Sequence, residues 1–130
     1  YQLSREGDAS KNTKTSLALT QVQPDLPYIL TFEARSNIEG NVINPILRLY
    51  YKDVNNAKQW RNSNVPSIPL VDEWRTYQVT LTAPSLKVNE TRNYFACIFE
   101  MKSTGTIQVR NARLAYDAKT AMLQLLKQNN

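Results

Sequence analysis

The sequence predicts an all-β fold, a two-sheet antiparallel β-sandwich followed by one short C-terminal helix, on three observations. Four segments alternate apolar and polar residues with the two-residue period of a half-buried strand. Each is short and bounded by Asn, Pro, Ser or Gly, as sandwich strands usually are. Only the end of the chain carries helical spacing instead. At 130 residues the chain fits a single domain that buries roughly two-thirds of its unfolded surface without needing disulfides or metal.

The elements follow in chain order. Residues 16–22 form a first, weaker strand with Leu17 and Leu19 inward. In 28–35, Tyr28, Leu30, Phe32 and Ala34 share one face, and in 46–52 Leu47, Leu49 and Tyr51 point inward, leaving Arg48, Tyr50 and Lys52 outward. Residues 53–73, Asn-rich at first and containing Pro66 and Pro69, read as a large loop with a short edge strand near 65–70. The run 74–82 buries Tyr77, Val79 and Leu81, and the run 94–102 buries Phe95, Cys97, Phe99 and Met101. Ile107 and Val109 change parity against Ala112 and Leu114, so one extra residue, a β-bulge, is expected around Arg110 and Asn111. Residues 118–128 place Ala121, Met122, Leu125 and Leu126 on one helical stripe with no Gly or Pro. About eleven residues are marginal as a helix alone in water. The expected division is therefore a sandwich over 1–117 and a helix or linker over 118–130.

Composition excludes several chemistries. There is no histidine, which removes Ser-His-Asp and Cys-His nucleophiles and His-based zinc sites together. The lone Cys97 has no internal partner and leaves the redox compartment open. Net charge is +5, but residues 1–101 carry eleven Lys or Arg against ten Asp or Glu, so the excess sits in the last strand and tail. That placement argues against nucleic acid. No apolar run reaches the ~20 residues of a membrane span. The chain starts at Tyr1 rather than Met, as a processed form or a piece of a larger protein does, and no signal peptide is visible.

Three phrases, in order, carry a family resemblance. They are Leu26-Pro27-Tyr28-Ile29-Leu30-Thr31-Phe32-Glu33-Ala34-Arg35, then Ile68-Pro69-Leu70-Val71-Asp72-Glu73-Trp74-Arg75-Thr76-Tyr77-Gln78-Val79, and last Gly105-Thr106-Ile107-Gln108-Val109-Arg110-Asn111-Ala112-Arg113-Leu114. Over roughly residues 16–116 the chain resembles the galactose-binding-like jelly rolls used as carbohydrate-binding modules. The resemblance implies a jelly roll, attachment to a secreted polysaccharide-active or cell-surface protein, an extracellular location and a poly- or oligosaccharide partner. It also implies that ligand meets either an open sheet face or the loops at one end. The family's closing strand commonly carries acids that help hold a structural calcium. Here Arg110 and Asn111 stand in that place, and Glu6 and Asp8 remain the weak carboxylate candidates.

Sugar binding needs flat aromatic faces and fixed planar polar groups. Trp60, in the polar stretch Lys58-Gln59-Trp60-Arg61-Asn62, has no local pattern that buries it, and is either a stacking platform or a plug over one end of the core. Trp74, just before Thr76 and Tyr77, matches the family's packing Trp. Placed together in one sheet, 28–35, 46–52 and 94–102 bring Glu33, Arg35, Arg48, Tyr50 and Glu100 to a common outer face, as ligand contacts or as cross-strand charge pairs. Glu33 and Glu100 fit the ~5–10 Å of a glycosidase pair. They lack the apolar enclosure that raises one pKa, and no other catalytic set is present. The expectation is a non-catalytic carbohydrate-binding domain. The alternative is an assembly domain with no sugar site that contacts another domain or chain through residues 118–130.

Overall fold

Alternation makes each long strand a two-faced ribbon, and two sheets that turn their apolar faces toward each other satisfy all of them at once. The computed structural model describes residues 2–7, 13–19, 22–101 and 105–128, with the backbone alone for 2–7, 13–19 and Gly105. The strands are β1 (Gln2–Gly7), β2 (Thr13–Leu19), β3 (Pro27–Ser36), β4 (Val42–Lys52), β5 (Lys58–Asn62), β6 (Ile68–Pro69), β7 (Arg75–Thr82), β8 (Thr91–Met101) and β9 (Gly105–Tyr116), followed by helix α1 (Ala118–Gln128). One sheet has the order β1-β9-β3-β7, and the other β2-β8-β4-β5 with β6 also on β4. Every pairing is antiparallel. The all-β sandwich expected from the sequence is thus the fold.

The core is built from the positions that alternation selects. Tyr28, Leu30, Phe32 and Ala34 of β3 meet Leu47, Leu49 and Tyr51 of β4 and Phe95, Cys97, Phe99 and Met101 of β8. Phe32 ties the layers together, edge-on to Phe99 at 5.2 Å and stacked on Tyr77 at 5.7 Å. Leu17 and Leu19 lie opposite Cys97 and Phe95 in register. Burial pushes the Cys97 thiol up to about 12, as expected of a core cysteine.

The bulge expected near Arg110 and Asn111 is present. Thr31 pairs with Arg113 but Glu33 with Arg110, so β9 carries one extra residue, and Asn111 adopts φ +54° to make the step. Beyond it, Asp117 starts the helix: its carboxylate accepts the Thr120 N–H at 3.0 Å and the Thr120 hydroxyl at 2.6 Å. Those hydrogen bonds hold it below the usual carboxylate range. Helix α1 keeps the boundaries read from the sequence, and none of its residues is buried.

Three expectations about layout are corrected. The segment 53–73, although mostly loop, holds a strand that the sequence did not mark: β4 turns through Asp53 to Ala57 into β5, which contains Trp60. The edge strand expected near 65–70 shrinks to the two-residue β6. Most important, β3 does not lie in the sheet of β4 and β8. Successive sandwich strands often cross between layers, and the period of two marks which face is buried without saying which sheet owns it.

Candidate functional site

The sheet exchange divides the predicted residue cluster between two outer faces. Glu33 and Arg35 lie on the outer face of the four-stranded sheet, Arg48, Tyr50 and Glu100 on that of the five-stranded sheet. The whole core separates the two groups. Glu33 and Glu100 therefore cannot flank one glycosidic bond, and the carboxylate pair considered above does not exist in space.

On the four-stranded side the charges satisfy one another. Arg110 donates to Glu33 at 2.5 Å and holds that carboxyl below the usual range. Arg35 donates to Gln108. Both guanidiniums stack on Trp74, Arg110 at 3.9 Å and Arg35 at 4.8 Å from the ring centroid. Trp74 is thus a packing residue, as its sequence position suggests, but it packs on arginines outside the sandwich rather than in the core. Glu33 and Arg35 behave here as cross-strand partners.

The five-stranded side is organised differently. Register places Tyr94, Tyr50 and Trp60 side by side across β8, β4 and β5. The two tyrosine rings stack at 4.8 Å, and Trp60 is 56% exposed. The next row is Ala96, Arg48 and Asn62, then Ile98 and Ile46, then Glu100 and Asn44. Ile46, Ala96 and Ile98 form a small buried apolar cluster against Tyr50, separate from the main core. A sheet face that carries an apolar floor beside an exposed aromatic row is unlike an ordinary solvated face.

Arg48 sits at the centre of this face. It points outward, as alternation requires, yet only 7% of it is exposed. Its guanidinium lies 4.1 Å from the Trp60 ring centroid and 6.0 Å from that of Tyr50, and its Nε donates to Asn62 Oδ1 at 2.8 Å. Stacking and hydrogen bonding together fix the indole plane.

Strand β5 is pinned from its other side. Arg61, paired in register with Leu49, donates to both oxygens of Glu90 at 3.1 and 3.0 Å and to the Tyr51 hydroxyl at 3.1 Å. The Arg61 hydrogen bonds, with the Lys87 N–H, hold the Glu90 carboxyl below its usual range. This clasp anchors an edge strand whose sequence has no apolar alternation. The turn into β5 is tied by Asp53, whose carboxylate accepts the backbone N–H groups of Asn55 and Ala57.

Trp60 is therefore neither loop residue nor plug; it stands outward on an edge strand. Tyr94, absent from the sequence-derived set, was legible by parity, since it alternates with Ala96, Ile98 and Glu100. Asn62 had no comparable signal, because β5 was not recognisable as a strand. Of the carboxylate candidates for calcium, the Asp8 position lies outside the described residues and Glu6 is placed only by its backbone in β1, opposite Thr106. On the closing strand Arg110 offers a cation where calcium needs oxygen donors. Among the described residues no three of His, Cys, Asp and Glu cluster, and no helix is long and apolar enough to cross a membrane.

No protein-family model and no curated protein matches this sequence. Solved structures do. A carbohydrate-binding module described as CBM4 superposes with a TM-score of 0.62 at 13% identity, covering 89% of this chain and 82% of that one. The CBM22-2 xylan-binding domain of Xyn10C from Paenibacillus barcinonensis gives 0.60 at 10% identity, covering 89% and 78%. The fold is that of carbohydrate-binding modules. The N-terminal cellulose-binding domain of β-1,4-glucanase C from Cellulomonas fimi repeats the likeness, with a TM-score of 0.59 at 14% identity over 90% of this chain and 78% of that one. These identities establish a shared carbohydrate-binding-module sandwich and nothing finer.

Proposed function

We propose that this domain is a non-catalytic carbohydrate-binding module that binds glycan on the outer face of its five-stranded sheet. The observation that carries the reading is the row Tyr94, Tyr50, Trp60, exposed at Tyr94 and Trp60, half-buried at Tyr50, and running across three strands beside Arg48. Aromatic faces take the apolar side of pyranose rings, while Arg48, Asn62, Asn44 and Glu100 supply donors and acceptors for hydroxyls. The known binding of cellulose and xylan by proteins of this fold supports the reading without fixing the sugar. The domain acts outside the cell as an accessory of a polysaccharide-active or cell-surface protein, raising the local concentration of its partner at the glycan. Affinity electrophoresis through gels containing soluble polysaccharides tests this. Retardation by at least one polymer, abolished in a folded Tyr50→Ala/Tyr94→Ala variant, is the expected result. Equal mobility in every gel contradicts the proposal.

A second reading is favoured by helix α1. Met122, Leu123, Leu125 and Leu126 are each about half exposed on a helix with no buried residue, which suits assembly through residues 118–130. Light scattering on the full chain and on a chain ending at Asp117 separates the readings. Two identical monomers remove support for assembly through the helix.

A further inference from the structure

The electrostatics of the proposed glycan face indicate which class of glycan it takes. Along the outward positions of β4 and β5 the rows run Lys52 with Lys58, then Tyr50 with Trp60, then Arg48 with Asn62. Cations thus bracket the aromatic row on both sides. Among the described residues, none of these three cations has a carboxylate within ion-pairing distance. Asp53, next in sequence, spends its carboxylate on the turn and on Gln59. Among the described residues Glu100 is the remaining acid of the face, opposite Asn44, and four residues along β4 put it about 14 Å from the Arg48 row. At that range it forms no ion pair with Arg48.

Arg48 sharpens the point. A guanidinium is always charged, and this one is more than nine-tenths buried. Its flat face is covered by Trp60 and its Nε is bound to Asn62. Among the described residues no acceptor takes a hydrogen bond from its two Nη groups. A stacked guanidinium keeps its in-plane N–H donors free, and two parallel N–H groups match a carboxylate better than any single hydroxyl. A buried cation without counter-ion is costly, and a ligand that brings an anion repays that cost on binding.

We infer that the ligand is an acidic glycan, a polysaccharide bearing uronate carboxylates, with a ring stacked on the Tyr50–Trp60 row and a carboxylate held by Arg48. The inference rests on the glycan-binding reading above, and its test separates the two. Retention is measured on glucuronoxylan and polygalacturonate, each before and after reduction of the carboxyl groups to alcohols, and on a neutral β-glucan. Carboxyl reduction leaves any sulfate ester untouched, so a response to it reports carboxylate alone.

The expected result is retention about tenfold stronger on at least one acidic polymer than on its reduced form, the scale of a hydrogen bond to a charged group. That ratio falls in 0.5 M salt, falls toward one in Arg48→Lys, and falls about twofold in Lys52→Ser/Lys58→Ser. The lysine variant touches one half-buried and one exposed position and keeps the test valid if Arg48→Lys fails to fold. Equal or stronger retention of the reduced polymers overturns the acidic class and leaves glycan binding standing. A ratio unchanged in the folded variants overturns the assignment to this face. No retention on any polymer, neutral or acidic, overturns both.

Discussion

Removing the indole of Trp60 isolates the stacking contribution. Trp60 is 56% exposed at the edge of the sheet, so Trp60→Ala leaves the main core untouched. A tryptophan side chain presents ~200 Å², of which the exposed part is about 110 Å² and a single face about 60 Å². A sugar ring laid on that face removes it from water, and ~25 cal/mol per Å² makes this about 1.5 kcal/mol, close to tenfold in affinity. Loss of the Arg48 stack adds ~0.5–1 kcal/mol, partly as disorder in the donor that remains. Isothermal titration with an oligosaccharide that binds the wild type should therefore show about thirty- to seventyfold weaker binding. The thermal midpoint should move by only a few degrees. A folded variant within twofold of wild type refutes the claim that Trp60 is a stacking platform.

Three further outcomes follow from the packing. Phe32→Ala, at the meeting of the two layers and fully buried, should cost about 3–5 kcal/mol in urea unfolding. A loss below ~1 kcal/mol would mean that the layers do not meet at this ring. Cys97, pushed up to about 12 by burial, should be inert to a disulfide reagent at pH 8 and react at once in denaturant. Fast labelling of the native chain would contradict its place in the core. Asp117 is held below the ordinary carboxylate range by Thr120, so its cap is fully effective above the unfolded value of ~3.9 and is lost as pH falls through the lower folded value. The amide resonances of α1 should report fraying in the wild type as pH falls below the ordinary carboxylate range. Asp117→Asn, which keeps a capping oxygen without the titration, should show no such acid-dependent step.

Most of the sandwich was legible because burial writes itself into alternation. Leu30, Phe32, Leu47, Leu49, Phe95 and Phe99 were placed correctly from period alone, and the parity change between Val109 and Ala112 marked the Asn111 bulge. The sheet that owns β3 was not legible, because a strand's inward face looks the same in either layer. That one ambiguity mixed Glu33 and Arg35 with the residues of the opposite face. Strand β5 was hidden for another reason. Its inward register positions hold Gln59 and Arg61, and Arg61 earns its place through Glu90 and Tyr51, which are 29 and 10 residues away. Arg48 looked solvated in sequence, since only the fold brings Trp60 over it.

The most direct test of the glycan face is amide chemical-shift mapping during titration with a bound oligosaccharide. The account predicts shifts concentrated at 44–52, 58–62 and 94–100, together with the Trp60 indole N–H, and little change at Arg35, Trp74 and Arg110. Shifts centred on Trp74 and the outer face of β3 and β9 would contradict it.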